Sequence, residues 1–297
     1  MMASDRLRAS AQRGRGWLGR FVALGTGAMV GREGLRRILD APAARLLGRT
    51  NFRGRPVSLA GGTALVMGAT AGAVAGAAVG GHSARLAAAV SVAGLGSGLV
   101  GVYDDVVGAR PDQRSVKGFH GHLAALRRGQ VTTGMVKIAG VGAAGLAAAS
   151  LLAGATGRRR GAVDIVLDAG VIAGTANLIN LLDLRPGRAL KAALLVAGPL
   201  AAGGGPTGPI AAGVAGAAAA LLPRDLHEET MLGDGGANAL GALIGTVVAA
   251  RTGRWGRAAV LAGIVGLTAA SEKVSFTRVI AATPVLRELD GLGRWDG

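Results

Sequence analysis

Three short acidic clusters interrupt an otherwise apolar chain, and each falls where a hydrophobic segment meets a polar loop. They are Asp104-Asp105 after Val92–Val102, Asp183 after Val171–Leu182, and Asp234 just before Ala237–Ala250. A carboxylate at the end of a membrane segment is costly to keep near lipid. Three such clusters on one side of a membrane suggest a site for a divalent cation and a phosphorylated substrate.

Each cluster sits in a motif with its own chemistry and its own bland reading. In Gly101-Val-Tyr-Asp-Asp-Val-Val-Gly108 the adjacent carboxylates repel, which asks for a compensating cation or a function. One could act as a base while the other organises a phosphate or metal. The plain alternative is a solvated Asp pair at a loop start. In Asn177-Leu-Ile-Asn180-Leu-Leu-Asp183 the two amides are one helical turn apart, and Asp183 is read as continuing their face. Polar groups on an apolar helix need partners, as a ligand site or as glue between helices. In Met231-Leu-Gly-Asp234-Gly-Gly-Ala-Asn238 the flanking glycines permit close backbone approach and offer N–H groups at a helix start. An Asp N-cap between turn glycines is the ordinary version of that pattern. Finally, Thr50-Asn-Phe-Arg53-Gly-Arg55-Pro56 places cations beside a glycine-rich helix start, suited to phosphate or to positive-inside anchoring.

The elements that must position these residues are membrane helices. Only 17% of residues are charged and mean hydropathy is +0.44, against about 25% charged in soluble domains. Apolar blocks cover roughly 17–31, 57–80, 84–103, 134–154, 162–182, 188–204, 207–222, 235–250 and 255–270, each near spanning length. The expected fold is all-α, a polytopic membrane helix bundle of about nine transmembrane helices. A polar basic tail (1–16) precedes one integral-membrane domain (17–297), and no cleavable signal peptide is seen. The 53 glycines fit close helix–helix packing. They explain Gly94-Leu-Gly-Ser-Gly98 better than a dinucleotide loop does, since no strand precedes it.

Cysteine is absent, which excludes disulfides, thiol nucleophiles and thiolate metal sites. The net charge of +16 could suggest nucleic acid, but aromatics are 3% and the basic residues sit in loops, so no nucleic-acid partner is expected. With the Asp104 loop inside, about 21 of the 33 Lys and Arg fall on the cytoplasmic side. Arg158-Arg159-Arg160 lies on the other side and is read as a solvated loop. Leu123–Leu126 reads as a short interfacial helix.

The ordered set Asp-Asp, Asn-x-x-Asn-x-x-Asp and Gly-Asp-x-Gly-x-x-x-Leu-Gly resembles the polyprenyl-phosphate N-acetylhexosamine-1-phosphate transferases over roughly residues 50–290. That resemblance implies an all-α bundle of about nine to ten transmembrane helices with a cytoplasmic-face cleft, in a bacterial inner-membrane enzyme with its active face cytoplasmic. It would transfer a sugar-1-phosphate from a UDP-amino sugar to undecaprenyl or another polyprenyl phosphate, releasing UMP, with Mg2+ as cofactor. Asp104 matches the family aspartate proposed to deprotonate the lipid phosphate, and Asp105 its neighbour. Asp234 matches the magnesium-binding aspartate, and Asn180 an asparagine of the nucleotide-sugar pocket that in the dolichol enzyme helps hold the metal. Asp183 matches a further pocket aspartate. Asn177, Arg53 and Arg55 join the expected substrate-binding set. Lys137 matches a family lysine after the Asp-Asp loop, with Lys117 competing for the role.

Two departures separate this chain from the family pattern. The usual Asp-Gly-x-Asp-Gly reads Asp183-Leu-Arg-Pro186-Gly187, and the histidine triplet of the pentapeptide translocase is replaced by Thr283-Pro-Val-Leu-Arg287. The muramoyl-pentapeptide nucleotide is therefore not the expected substrate. His120 and His122 read as surface residues of the long loop. A catalytically silent relative that binds polyprenyl phosphate or nucleotide sugar as an envelope-assembly scaffold is the alternative, and a cation-coupled transporter the third class. The lipid bilayer is an expected partner, and homodimerisation is left open.

Overall fold

The protein is described by a computed structural model covering residues 2–108, 127–129, 132–155 and 160–295, with side chains from Gly16 onward. Lys117, His120, His122 and the expected helix at 123–126 lie outside the described residues, as do Arg158 and Arg159.

The nine apolar blocks lie on helices, apart from a residue or two at some block ends and from Val57 and Ser58, which open the second block on a strand. Helix α1 (Met2–Asp40) runs through the basic tail into the first block. A two-stranded hairpin follows, β1 (Gly48–Thr50) antiparallel to β2 (Pro56–Ser58), with Thr50 opposite Pro56. Then come α2 (Ala60–Val79), α3 (Ala84–Val107), α4 (Thr133–Ala153), α5 (Ala162–Leu182) and α6 (Arg188–Ala202). The chain continues through α7 (Gly208–Leu226), α8 (Gly233–Arg251), α9 (Arg254–Ser271), α10 (Phe276–Ala282) and α11 (Pro284–Gly291). Among the described residues, four helices, α2 to α5, are long and apolar enough to cross a membrane. The pair α9–α10, bent by 94°, makes a fifth if counted as one span.

Helix α8 is the axis of the bundle. Its residues from Gly235 to Val247 are buried on every side, as a helix apolar all round must be. It packs on α5, α3 and α2, while α1, α2 and α7 form a second tight group. Small residues make both contacts possible. The backbones of α1 and α7 meet at Gly27 and Gly213, where a β-carbon on Gly27 would strike the Gly213 carbonyl. Leu65, Leu152, Ile172, Leu190, Ile210, Leu240 and Leu243 fill the space between helices. In α3 a π-helical turn at Val92–Gly96 widens the coil and resets the facing of the last turns, which carry Asp104 and Asp105.

One loop reading needs correction. Arg160 is not solvated; its guanidinium is buried and pairs with Asp168 of α5. Arg257 of α9 reaches Asp168 at 3.1 Å and Asp164 at 2.5 Å, and Arg254 reaches Asp164 at 2.6 Å. A carboxylate buried in α5 has to be met by cations, and the arginine run is one source of them.

Candidate functional site

The site is built on the three-residue turn that opens α8. Gly233 has φ +60°, and a β-carbon there would sit 2.9 Å from both oxygens of Asp105, so the position calls for glycine on two counts. The hairpin holds the approach to this turn. Met231 N–H donates to Ser58 O at 2.9 Å, and Ser58 N–H donates to Glu229 O at 3.2 Å. Gly62 and Gly101 let α2 and α3 close on it, since a β-carbon on either would collide with the carbonyls of Leu232 and Asp234 respectively.

Three successive amides of the turn are each met by a carboxylate. The Gly233 N–H faces Asp183. Asp234 N–H donates to Asp105 Oδ1 at 3.0 Å, and Gly235 N–H donates to Asp105 Oδ2 at 2.9 Å. These are the orphan donors of a helix start, and a carboxylate there also meets the positive end of the helix dipole. The glycine N–H groups expected to receive a phosphate are thus already used. Asp105, with both oxygens engaged, holds the turn in place beside Asp104. Its own carbonyl accepts from Arg49 Nη2.

Asp104 and Asp234 face each other across Lys137, from the first turn of α4. The ammonium lies 2.9 Å from Asp104 Oδ2 and 2.8 Å from Asp234 Oδ2. The two carboxyls are also within hydrogen-bonding reach of one another, and Asp104 bonds Thr133. Lys137 therefore sits at the centre of the cluster.

Asp183 caps α5 and lines a pocket of about 260 Å³ shared with Asn51, Phe52, Arg185, Asp225 and Glu228. Burial, then the neighbouring Asp225, raises the Asp183 pKa well above the usual carboxylate range. Asp225 lies three residues past the apolar block 207–222. Burial pushes it up to about 7, against the opposing bond from Gly187 N–H at 2.5 Å. Across the pocket the Arg185 guanidinium stacks on Phe52 at 4.0 Å.

The remaining expected residues are placed less centrally. Arg53 pairs with Glu228 at 3.2 Å, and Arg55 stacks on Trp295 at 4.8 Å, both beside the pocket mouth. Asn180 is half-buried and its carbonyl accepts the Asp183 N–H. Asn177 is exposed and donates to Thr268 of α9 at 3.3 Å, so the structure does not bring it to the cluster. Asp225, Glu228 and Arg49 were not anticipated. The stretch Pro223-Arg-Asp-Leu-His-Glu228 reads as an ordinary polar loop, and its one signal is two acids next to a span end.

Among the described residues no three Asp, Glu or His side chains form a ready metal-ligand set. The donors nonetheless fit magnesium, which uses one or two carboxylates and takes its other ligands from water and substrate phosphates. Asp104 and Asp234 already hold a cationic group between them, and Asp183 crowds against further acid. No family model matches the chain, and no curated protein matches it.

Proposed function

We propose that this chain is a membrane-embedded transferase that moves a sugar-1-phosphate from a UDP-amino sugar to a polyprenyl phosphate. The observation that carries this reading is the meeting of Asp104, Asp105, Asp183 and Asp234, from three helix ends distant in sequence, around the Gly233–Gly235 turn. Such a density of acid is useful where a cation-bound diphosphate must be held.

A lipid phosphate oxygen attacks the phosphorus nearest the sugar, the bond from that phosphorus to the UMP oxygen breaks, and UMP leaves. Asp104 keeps the incoming lipid phosphate deprotonated. Lys137 holds Asp104 and Asp234 in register and offers positive charge to the transferring group. Asp234, with Asn180 one turn from Asp183, would hold Mg2+. When bound, that ion neutralises the diphosphate and eases departure of UMP. Arg53, Arg55 and Arg185 border the pocket beside Asp183, where a nucleotide would lie. In the same reading the remaining apolar helices complete a bundle of nine to ten spans in a bacterial inner membrane, with the acidic turn facing the cytoplasm.

Purified protein given labelled UDP-N-acetylglucosamine, undecaprenyl phosphate and Mg2+ is expected to form a labelled lipid that EDTA abolishes. Folded protein that yields no product across a panel of UDP-sugars would end the enzyme reading. The silent-scaffold alternative has one observation in its favour. Lys137 already bridges Asp104 and Asp234, occupying the gap between them as a protein that only binds would allow. Nucleotide-sugar binding without turnover, with complementation unchanged by Asp104→Asn, selects it.

A further inference from the structure

We infer that the C-terminal arm Asp290–Trp295 is a strap that fixes the Asp183 loop against the hairpin, with Asp290 and Arg294 as positioning residues. Asp290 receives a bidentate pair from Arg188, Nε at 2.7 Å and Nη2 at 2.9 Å. Arg294 Nη2 joins it at 2.8 Å, and Arg294 Nε donates to Pro186 O at 3.0 Å. Lys191 Nζ donates to the carbonyls of Asp290 at 2.5 Å and Leu292 at 3.1 Å. The arm then crosses to the other walls. Trp295 N–H donates to Leu226 O at 3.4 Å, Trp295 O accepts from Arg53 at 3.4 Å, and the indole lies under Arg55.

The three segments so joined are those that line the pocket: Asp183–Pro186, the end of α7 with Asp225 and Glu228, and the hairpin with Asn51 and Phe52. They lie far apart in sequence, and the arm ties them without itself lining the cavity. Arg188 and Asp290 are both largely buried, side chains 6% and 11% exposed. A bidentate pair in that setting fixes direction as well as distance. Loss of the Asp290 charge leaves Arg188 uncompensated and frees Pro186.

The test uses the full chain with Asp290→Asn, Asp290→Glu and Arg294→Met, the last leaving the Asp290–Arg188 pair in place. Hydrogen exchange is read at the amides of 184–188 and, as a reference, across α2. Asp290→Asn and Arg294→Met are expected to speed exchange at 184–188 about tenfold with α2 unchanged, and Asp290→Glu to restore protection. The kinetic arm rests on the proposed transferase activity. There the KM for the nucleotide sugar rises about tenfold in Asp290→Asn while kcat stays within about twofold. Unchanged exchange at 184–188 in both disruptive variants, or an equal rise across α2, overturns the inference. A wild-type protein without turnover removes only the kinetic arm, and the exchange result still decides.

Discussion

Helix α5 carries acid at both ends, and the two ends are managed in opposite ways. At its start, Asp164 and Asp168 are met by Arg160, Arg254 and Arg257, so two carboxylates face three guanidiniums. At its finish, Asp183 joins Asp104, Asp105, Asp225 and Asp234, a group whose ion pairs run through Lys137. A buried carboxylate with matched cations is a closed structural unit, whose removal harms folding. A group in which acids outnumber their paired cations holds charge in reserve for something that arrives from outside. The contrast separates scaffold from site without reference to any relative.

The sharpest way to break that contrast is Asp234→Asn. It is expected to cut transfer more than a hundredfold, since a lost cation contact removes several kcal/mol of transition-state stabilisation. Tm should stay near the wild-type value; a protein that unfolds instead makes the acid-rich end structural too. Asp168→Ala tests the opposite end. It should cost about 3–5 kcal/mol of stability by stranding Arg160, while Arg257 keeps Asp164, read by thermal melts in detergent, with activity per folded molecule retained.

A pH series sharpens the comparison. Asp225 goes from 3.8 when unfolded to about 7 when folded. Its protonated form therefore stabilises the fold fully below pH 3.8, and that contribution is lost as pH rises through about 7. Without divalent cation, Tm is expected to fall by a few degrees between pH 6 and pH 8, and Asp225→Asn should lessen that fall, the remainder following the other carboxylates of the cluster, Asp105 among them. Added Mg2+ should raise Tm more at pH 8 than at pH 6, because protons compete with it. A slope unchanged in Asp225→Asn would assign the effect elsewhere. The smallest effect belongs to Asn177→Ala, expected within about 0.5 kcal/mol in stability and twofold in turnover. A large loss of activity would bring that side chain back to the site.

The helices were legible because hydrophobic blocks of spanning length leave few alternatives, and each block lies on one over most of its length. The acidic segments were legible for the same reason, as charges conspicuous at the ends of apolar runs. Partners were not. Lys137 was named from the resemblance, but its seat between Asp104 and Asp234 depends on which helix faces Asp104. Arg160 reads as solvated until α9 brings Arg257 to the same aspartate. Asn177 failed on simple geometry. Steps of three residues drift by about 60° each, so Asn177 lies about 120° around α5 from Asp183, although each neighbouring pair shares a face. Asp225 matters because it folds beside Asp183, a proximity that loop composition does not encode.

The amides of Gly233 to Gly235 have a consequence for the order of events in the proposed reaction. A helix start with open N–H groups welcomes a bare anion. Here carboxylates occupy those groups, so an uncomplexed nucleotide would meet repulsion at the mouth of α8. The donor must come in with its counter-ion already attached, which makes the cation complex the species whose concentration governs saturation.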